Sequence, residues 1–237
     1  MIVSINQPAY LPWLGYFHRI AVSDLHISLN DVEISHGSFA NRNKVMTANG
    51  PTWLTVPVLT KRGQSLTINE VAIATDKKWR RKHWRTIEQS YAGAPHFQQH
   101  AGFWEEIFVR EWELLEDLTE HTTAQQLQVL GIDTPISRSS EIGVEGIKSD
   151  LILNLCSEVE ADIYLSGPLG RDYLDEGMFE ERGIRVLYQE YAHPTYPQAS
   201  DEFVSHLAAI DALFNCGPRT REVLMSGNTT KTELSAT

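Results

Sequence analysis

The chain opens on an uninterrupted run dominated by apolar residues, Met1 to Ile5, and that pattern predicts a buried strand. Leu14 to Val22 then carries apolar residues at helical spacing, and "LHISL", Leu25 to Leu29, reads as a second strand. Parallel strands need a crossover of about a dozen residues, so the opening predicts a β-α-β unit. In Asn43 to Val58, apolar runs flank Asn49-Gly50, a strong turn dipeptide, which predicts a hairpin. "SLTINEVAIAT", Ser65 to Thr75, supplies one or two further strands.

From Asp76 the period becomes helical. Asp76 reads as the cap of a helix running to Tyr91, and Ala94 to Ile132 as two more helices, with Gly131 as a C-terminal stop. Glu145 to Ala161 is amphipathic. "DIYLSGPLGRDYL", Asp162 to Leu174, reads as a strand with a glycine-rich exit, and Phe179 to Tyr191 as helix end, glycine and strand. Asp201 to Gly217 reads as helix. The polar stretch after Gly227 is expected to be a disordered tail. The organisation expected is one α/β domain over residues 1–227, with a mostly parallel sheet, a helical insertion at about 76–131, and a tail at 228–237.

Composition narrows the class. The 237 residues carry 31 acidic and 20 basic side chains, a formal charge of −11, which argues against non-specific binding of nucleic acid by the whole surface. Cys156 and Cys216 sit in apolar contexts and read as buried thiols. No basic leader opens the chain and no apolar run is long enough to span a membrane, so a cytoplasmic location is expected, without a membrane partner.

Four segments carry candidate chemistry. The first is the turn "NQPAYLPWLG", where Asn6 and Gln7 follow an apolar strand, the place where open α/β sheets bind ligands. Tyr10, Trp13 and Tyr16 beside them read as packing. The second is "NRNK": Asn41 and Arg42 are candidates for charge stabilisation and Lys44 for substrate binding, since arginine clamps carboxylate or phosphate and lysine adds a point charge. The third is the basic island "DKKWRRKHWR", where Lys82 and His83 are candidate anion contacts. The fourth joins Ser166, Gly167, Arg171 and Tyr173 with Tyr191, His193 and Gln198. His193, in a proline-punctuated loop after a strand, is the candidate base. No metal-ligand motif stands out.

"INQPAYLPWLGYFHRIAVSD", "NRN", "WLTVPV", "KHW", "YLSGPLGRDYLDEGMFEERGI", "YQEYAHPTYPQ" and "IDALFNCG" occur in the order seen in the WbqC-like family, which this chain resembles from Ile5 to Gly217. The resemblance implies a role in bacterial O-antigen or other biosynthetic clusters, with a glycine-transferase activity suggested for members. Family patterns usually begin His-Gln-Pro where this chain has Asn6-Gln7-Pro8, and commonly carry Asp where Asn30 stands. A more remote likeness is to nucleotidyltransferase-like (HUP) ligases, although Trp13-Leu14-Gly15-Tyr16 lacks both histidines of their HxGH motif.

The function expected is transfer of an aminoacyl group, plausibly glycyl, to an amine of a sugar or other small metabolite. The activated donor is either made in situ from ATP with Mg²⁺ or supplied as aminoacyl-tRNA. The alternatives are a nucleotidyltransferase and a non-catalytic scaffold of a biosynthetic cluster.

Overall fold

The computed structural model describes residues 1–35, 37–60, 65–200 and 202–236. Strand β1 (Ile2–Asn6) is followed by α1 (Leu14–Ala21) and β2 (Leu25–Ser28), as the apolar periods predict. A hairpin, β3 (Arg42–Val45) and β4 (Thr52–Thr55), comes next, then α2 (Lys78–Tyr91), α3 (Phe97–Val109) and α4 (Leu115–Leu130). The chain returns to the sheet with β5 (Ile136–Arg138), α5 (Ser139–Ile142), α6 (Ser149–Glu158), β6 (Ile163–Ser166), α7 (Glu176–Glu181) and β7 (Arg185–Tyr188). Helices α8 (Ala209–Cys216), α9 (Thr220–Met225) and α10 (Lys231–Ala236) close it.

The main sheet is all parallel in the order β5-β2-β1-β6-β7. Counting only its own strands, that order is 3-2-1-4-5, the doubly wound arrangement, and the direction of winding reverses between β1 and β6. Both faces are covered, which is why β1 and β6 are apolar runs and not alternating ones. Val3, Ile5 and Tyr164 pack with Leu155 of α6 and Phe179 of α7 on one face. Ile2, Ile163 and Leu165 pack with Val22 and Leu234 on the other.

Helix α1 is sandwiched between that second face and a layer built from the hairpin, α2, α3, α4 and α8. All residues from Leu14 to Ile20 are therefore buried, including His18 and Arg19. A helix enclosed on every side keeps polar side chains only for a reason.

Four expectations need correction. Ser65 to Thr75 forms a 3₁₀ turn at Ile68–Glu70, with only isolated bridges to its neighbours, because the Thr67–Glu70 capping box is satisfied locally. The edge strand β5 went unread: it is three residues long and polar at two of them. Helix α8 begins only at Ala209; before it, Ala208 N–H donates to Lys44 O (2.8 Å) and the Gln198 amide holds both backbone groups of Val204. Finally, residues 231–236 of the expected tail form α10, anchored by Leu234 on the sheet face and by a Lys231–Asp24 ion pair of 2.5 Å.

Candidate functional site at the carboxyl edge of the sheet

Doubly wound sheets bind ligands outside the carboxyl ends of their strands, where the winding reverses. Here that place lies between Asn6, ending β1, and Ser166-Gly167, ending β6. The Asn6 side-chain N–H₂ is buried with no partner. Helix α1 starts just above this edge and runs back along the sheet. Its side chains lean toward its N-terminus, which carries Arg19 toward the edge. The Arg19 guanidinium lies against Gly167, so closely that a β-carbon at that position would collide with Nη1.

Arg19 is 8% exposed and its side chain has neither an ion pair nor a hydrogen bond among the described residues. The titratable groups that act on it are the phenols of Tyr164, Tyr16 and Tyr173, and no carboxylate is among them. Burial lowers its pKa from the ordinary arginine range. An unpaired buried cation costs stability, and arginine resists deprotonation, so its natural complement is an anion brought from outside. The sequence reading passed over Arg19. Its signal was present all the same, in a cation on a short apolar helix with Tyr16, Gly15, Ser23 and Val22 at the positions where an acidic partner would stand.

Beside α1 lies a cavity of 260 Å³ under α4, walled by Tyr16, His26 and Ser28 and closed by Thr123, Arg138 and Glu120. His26 is bound through Nδ1 to Ser4 Oγ at 2.9 Å, and its Nε2 has no partner. Burial, with Arg19 adding to it, pushes His26 down to about 3, so its ring is neutral. Tyr16, expected to be packing alone, also presents its hydroxyl without a hydrogen bond among the described residues, edge-on to His26 at 5.8 Å between ring centroids.

A third group surrounds the N-terminus of α1. Leu11 has φ +48°, a left-handed conformation strained for leucine, and its carbonyl accepts from Asn43 Nδ2 at 2.6 Å. Trp13 forms a bridge with Ala208 and lies over Gly15. Around Trp13 sit Tyr191 (edge-on, 5.4 Å), His193 (6.2 Å) and His206 (5.0 Å). His193 Nδ1 contacts Pro194 O at 3.0 Å, leaving a buried Nε2 with no partner, and burial lowers its pKa below the ordinary histidine value. The opening turn, the hairpin and the 189–208 loop thus meet, as three of the four segments picked from sequence.

Within those segments the individual residues divide. Ser166 is buried and shares a hydrogen bond with Tyr164, which also meets Tyr173. Gly167 touches Arg19, and Gln7 lies at the edge without a side-chain bond among the described residues. Tyr191 gives its hydroxyl to Leu224 O, and Arg171 pairs with Glu190 over the ring of Tyr188. Other candidates prove to be committed to the scaffold. Asn41 donates to Val56 O at 2.9 Å across the hairpin, and Gln198 binds Val204 and Asp211. His83 is buried against Tyr10 OH at 2.8 Å, with its pKa pushed down to about 4 by burial, so it is no surface anion contact. Arg42 and Lys44 stack over exposed Trp53 at 4.4 and 4.9 Å, and Lys82 stands exposed on α2.

Position 30 shows how local charge was settled. Asn30 Nδ2 donates to Glu116 Oε1 (2.5 Å) and Ser140 Oγ (2.9 Å), while its Oδ1 accepts from Ser139 and Ser140. Burial already raises the pKa of Glu116. Asn30→Asp puts a second carboxylate against it, so at pH 7 thermal unfolding should show a loss of about 1–3 kcal/mol. A carboxyl whose folded pKa is raised loses stability as pH climbs from its unfolded value through its folded one. The deficit of the variant should therefore shrink on acidification toward pH 4–5. An unchanged melting temperature at both pH values rules this account out.

The model of the WbqC-like protein family matches residues 7–223 of the chain. An uncharacterized protein of Mycobacterium tuberculosis, Rv1507c, is 34% identical over 225 residues, covering 94% of this chain and 96% of its own length. No solved structure matches significantly.

Proposed function

The chain belongs to the WbqC-like protein family, and from that premise we propose that it is a transferase moving an aminoacyl group, glycyl in the first instance, from a phosphate-bearing donor to the amine of a small metabolite. The observation that carries the reading is Arg19, a buried guanidinium without an ion pair or side-chain hydrogen bond among the described residues, at the point where the sheet's winding reverses. An activated aminoacyl group is carried either on the phosphate of an adenylate or on a terminal ribose next to a phosphodiester. Both present an anion close to the acyl carbon, and Arg19 is suited to hold it.

The bond made is nitrogen to acyl carbon, and the bond broken is acyl carbon to the donor oxygen. The attacking amine must lose a proton; the ribose oxygen of an aminoacyl-tRNA donor must gain one as it departs, whereas the phosphate of an adenylate leaves as its anion. His193, kept neutral by burial and with Nε2 unpartnered, is our choice to carry that proton. Asn6 and Gln7, at the end of β1, are our choice of donors to the developing oxyanion. In this reading Arg42, Lys44 and Lys82 lie outside the reacting centre and serve the donor's backbone when the donor is aminoacyl-tRNA. Trp53, exposed between two cations, supports that docking role.

The test supplies the purified protein with an amino-sugar panel and either ATP, Mg²⁺ and glycine or pre-formed glycyl-tRNA, and reads acylated amine by mass spectrometry. ATP–pyrophosphate exchange run in parallel separates the donors: glycine-dependent exchange favours the adenylate, and product from glycyl-tRNA without exchange favours tRNA. His193→Ala should lower kcat by about 10²–10⁴. The acid limb of the wild-type rate should fall below the ordinary histidine pKa, because burial depresses that of His193. No acylated amine from either donor refutes the proposal.

A further inference from the structure

We propose that the cavity between α1, α4 and the carboxyl ends of β2 and β5 binds a compact primary amine bearing acceptor oxygens, of monosaccharide size, with the amine met by Glu120 and Glu141 and the oxygens by Tyr16 and His26. As an acceptor subsite this rests on the transferase reading, but the binding site itself stands on three separate observations.

The first is size. At 260 Å³ the cavity falls just short of the range that suits drug-sized ligands, so it fits a smaller one. The second is the pair of polar groups left open in its wall. Ser4 has no acceptor other than His26 among the described residues, so its hydroxyl proton goes to Nδ1 and the ring hydrogen sits on Nε2. His26, 1% exposed, thus holds out an unmet donor, and Tyr16 adds a free hydroxyl. Two uncommitted donors near a guanidinium ask for acceptor oxygens.

The third is charge in the same wall, where Glu120 acts directly on the Tyr16 phenol. Arg138 is the cation there, and it faces three carboxylates. It grips Glu120 with Nε (2.8 Å) and Nη2, meets Glu141 at 3.0 Å, and lies 3.9 Å from Glu116. One guanidinium cannot neutralise three carboxylates, and the surplus negative charge at Glu120 and Glu141 borders the cavity directly. A protonated amine completes that cluster, an anionic group would be repelled from it, and a neutral group would gain nothing from its charge. Such a cluster alone would say little; the unmet donors in the same small cavity ask for a ligand that carries both an amine and acceptor oxygens.

The experiment is calorimetric titration of the full chain with D-glucosamine, glycine and D-glucose, the last matching the sugar without its amine. Glucosamine should bind about tenfold or more tightly than glucose. Glycine, with an amine but fewer acceptor oxygens, should fall between them. Two variants test the place. Ala124 lies exposed on α4 at the cavity, so Ala124→Trp should fold normally, block the cavity and abolish binding. Glu141→Gln removes a largely exposed carboxylate and should weaken the amines by up to about fivefold while leaving glucose unchanged.

Equal binding of glucosamine and glucose, no binding of any amine at millimolar concentration, or undiminished binding by Ala124→Trp each overturns the proposal. The transfer assay keeps the two readings apart. Amine binding lost in Ala124→Trp, in a protein that acylates nothing, leaves this site standing and removes the transferase reading. Transfer with an unchanged KM for the amine in Ala124→Trp does the reverse.

Discussion

Replacing Arg19 with methionine should make the protein more stable and unable to hold its anionic ligand. The two effects have one cause. In the unliganded protein the guanidinium is buried, lies against Gly167 and is met by no carboxylate among the described residues, so the fold carries its desolvation cost without a Coulombic return. Methionine fills much the same volume with no charge to desolvate. A gain of about 1–3 kcal/mol follows, read as a rise in melting temperature of about 2–4 °C per kcal/mol for a chain of this length. Inorganic phosphate should raise the melting temperature of the wild type as the logarithm of 1 + [phosphate]/Kd, and should do nothing to Arg19→Met. Loss of charge-assisted hydrogen bonds worth about 1.5–3 kcal/mol should weaken the anion by about ten- to a hundredfold. Arg19→Lys, which keeps the charge but not the planar fork, should fall between the two. A melting temperature that drops in Arg19→Met would mean that the guanidinium serves the fold, and the case for a reserved anion site would end there.

Much of the architecture was legible because the sheet is parallel and buried on both faces. Met1 to Ile5 and Ile163 to Leu165 could be read as strands from their apolar character alone, and Gly131, at φ +62°, stops α4 where its sequence says it should. What failed to show was structure without a periodic pattern. Strand β5 is recruited by its neighbour, β2, and carries no propensity of its own. Residues 203–208 look helical by composition, yet are held out of a helix by Gln198 and Lys44 from elsewhere in the chain, with His206 at φ +60°.

The candidate site was legible in its segments and much less so in its residues. The turn after β1, the exit of β6 and the loop after β7 all reach the carboxyl edge, because topology alone brings strand ends together. Which side chain matters depends on partners that sequence does not display. Asn41 and Gln198 looked like binding groups and turn out to be hydrogen-bonded to backbone. Arg19 and His26, which the sequence reading passed over, are among the polar groups left unpaired. In both cases the deciding fact is whether another residue, distant in sequence, has already satisfied the group.

Asp211 makes the same point from the side of stability, and its removal should be the most destabilising single change considered. It is 1% exposed, and among the described residues no cation pairs with it. It is held instead by Tyr91 OH on one oxygen (2.8 Å) and by Tyr196 OH and Gln198 Nε2 on the other (both 2.9 Å). These donors come from α2 and from the 189–208 loop, so the carboxylate joins the helical layer to the loop that carries His193. Asp211→Ala leaves three buried donors unmet and opens a void between those elements. The expected loss is about 3 kcal/mol, or roughly 6–12 °C in melting temperature. Asp211→Asn keeps an acceptor and the volume, and should cost about 1 kcal/mol. Burial raises the Asp211 pKa even against these three hydrogen bonds. Its contribution therefore declines as pH rises from the unfolded carboxyl value through the raised folded one, and that slope should vanish in Asp211→Asn. Should Asp211→Ala unfold no more readily than Tyr196→Phe alone, the carboxylate is not the joint between these layers, and the order of the His193 loop must come from its aromatic packing on Trp13.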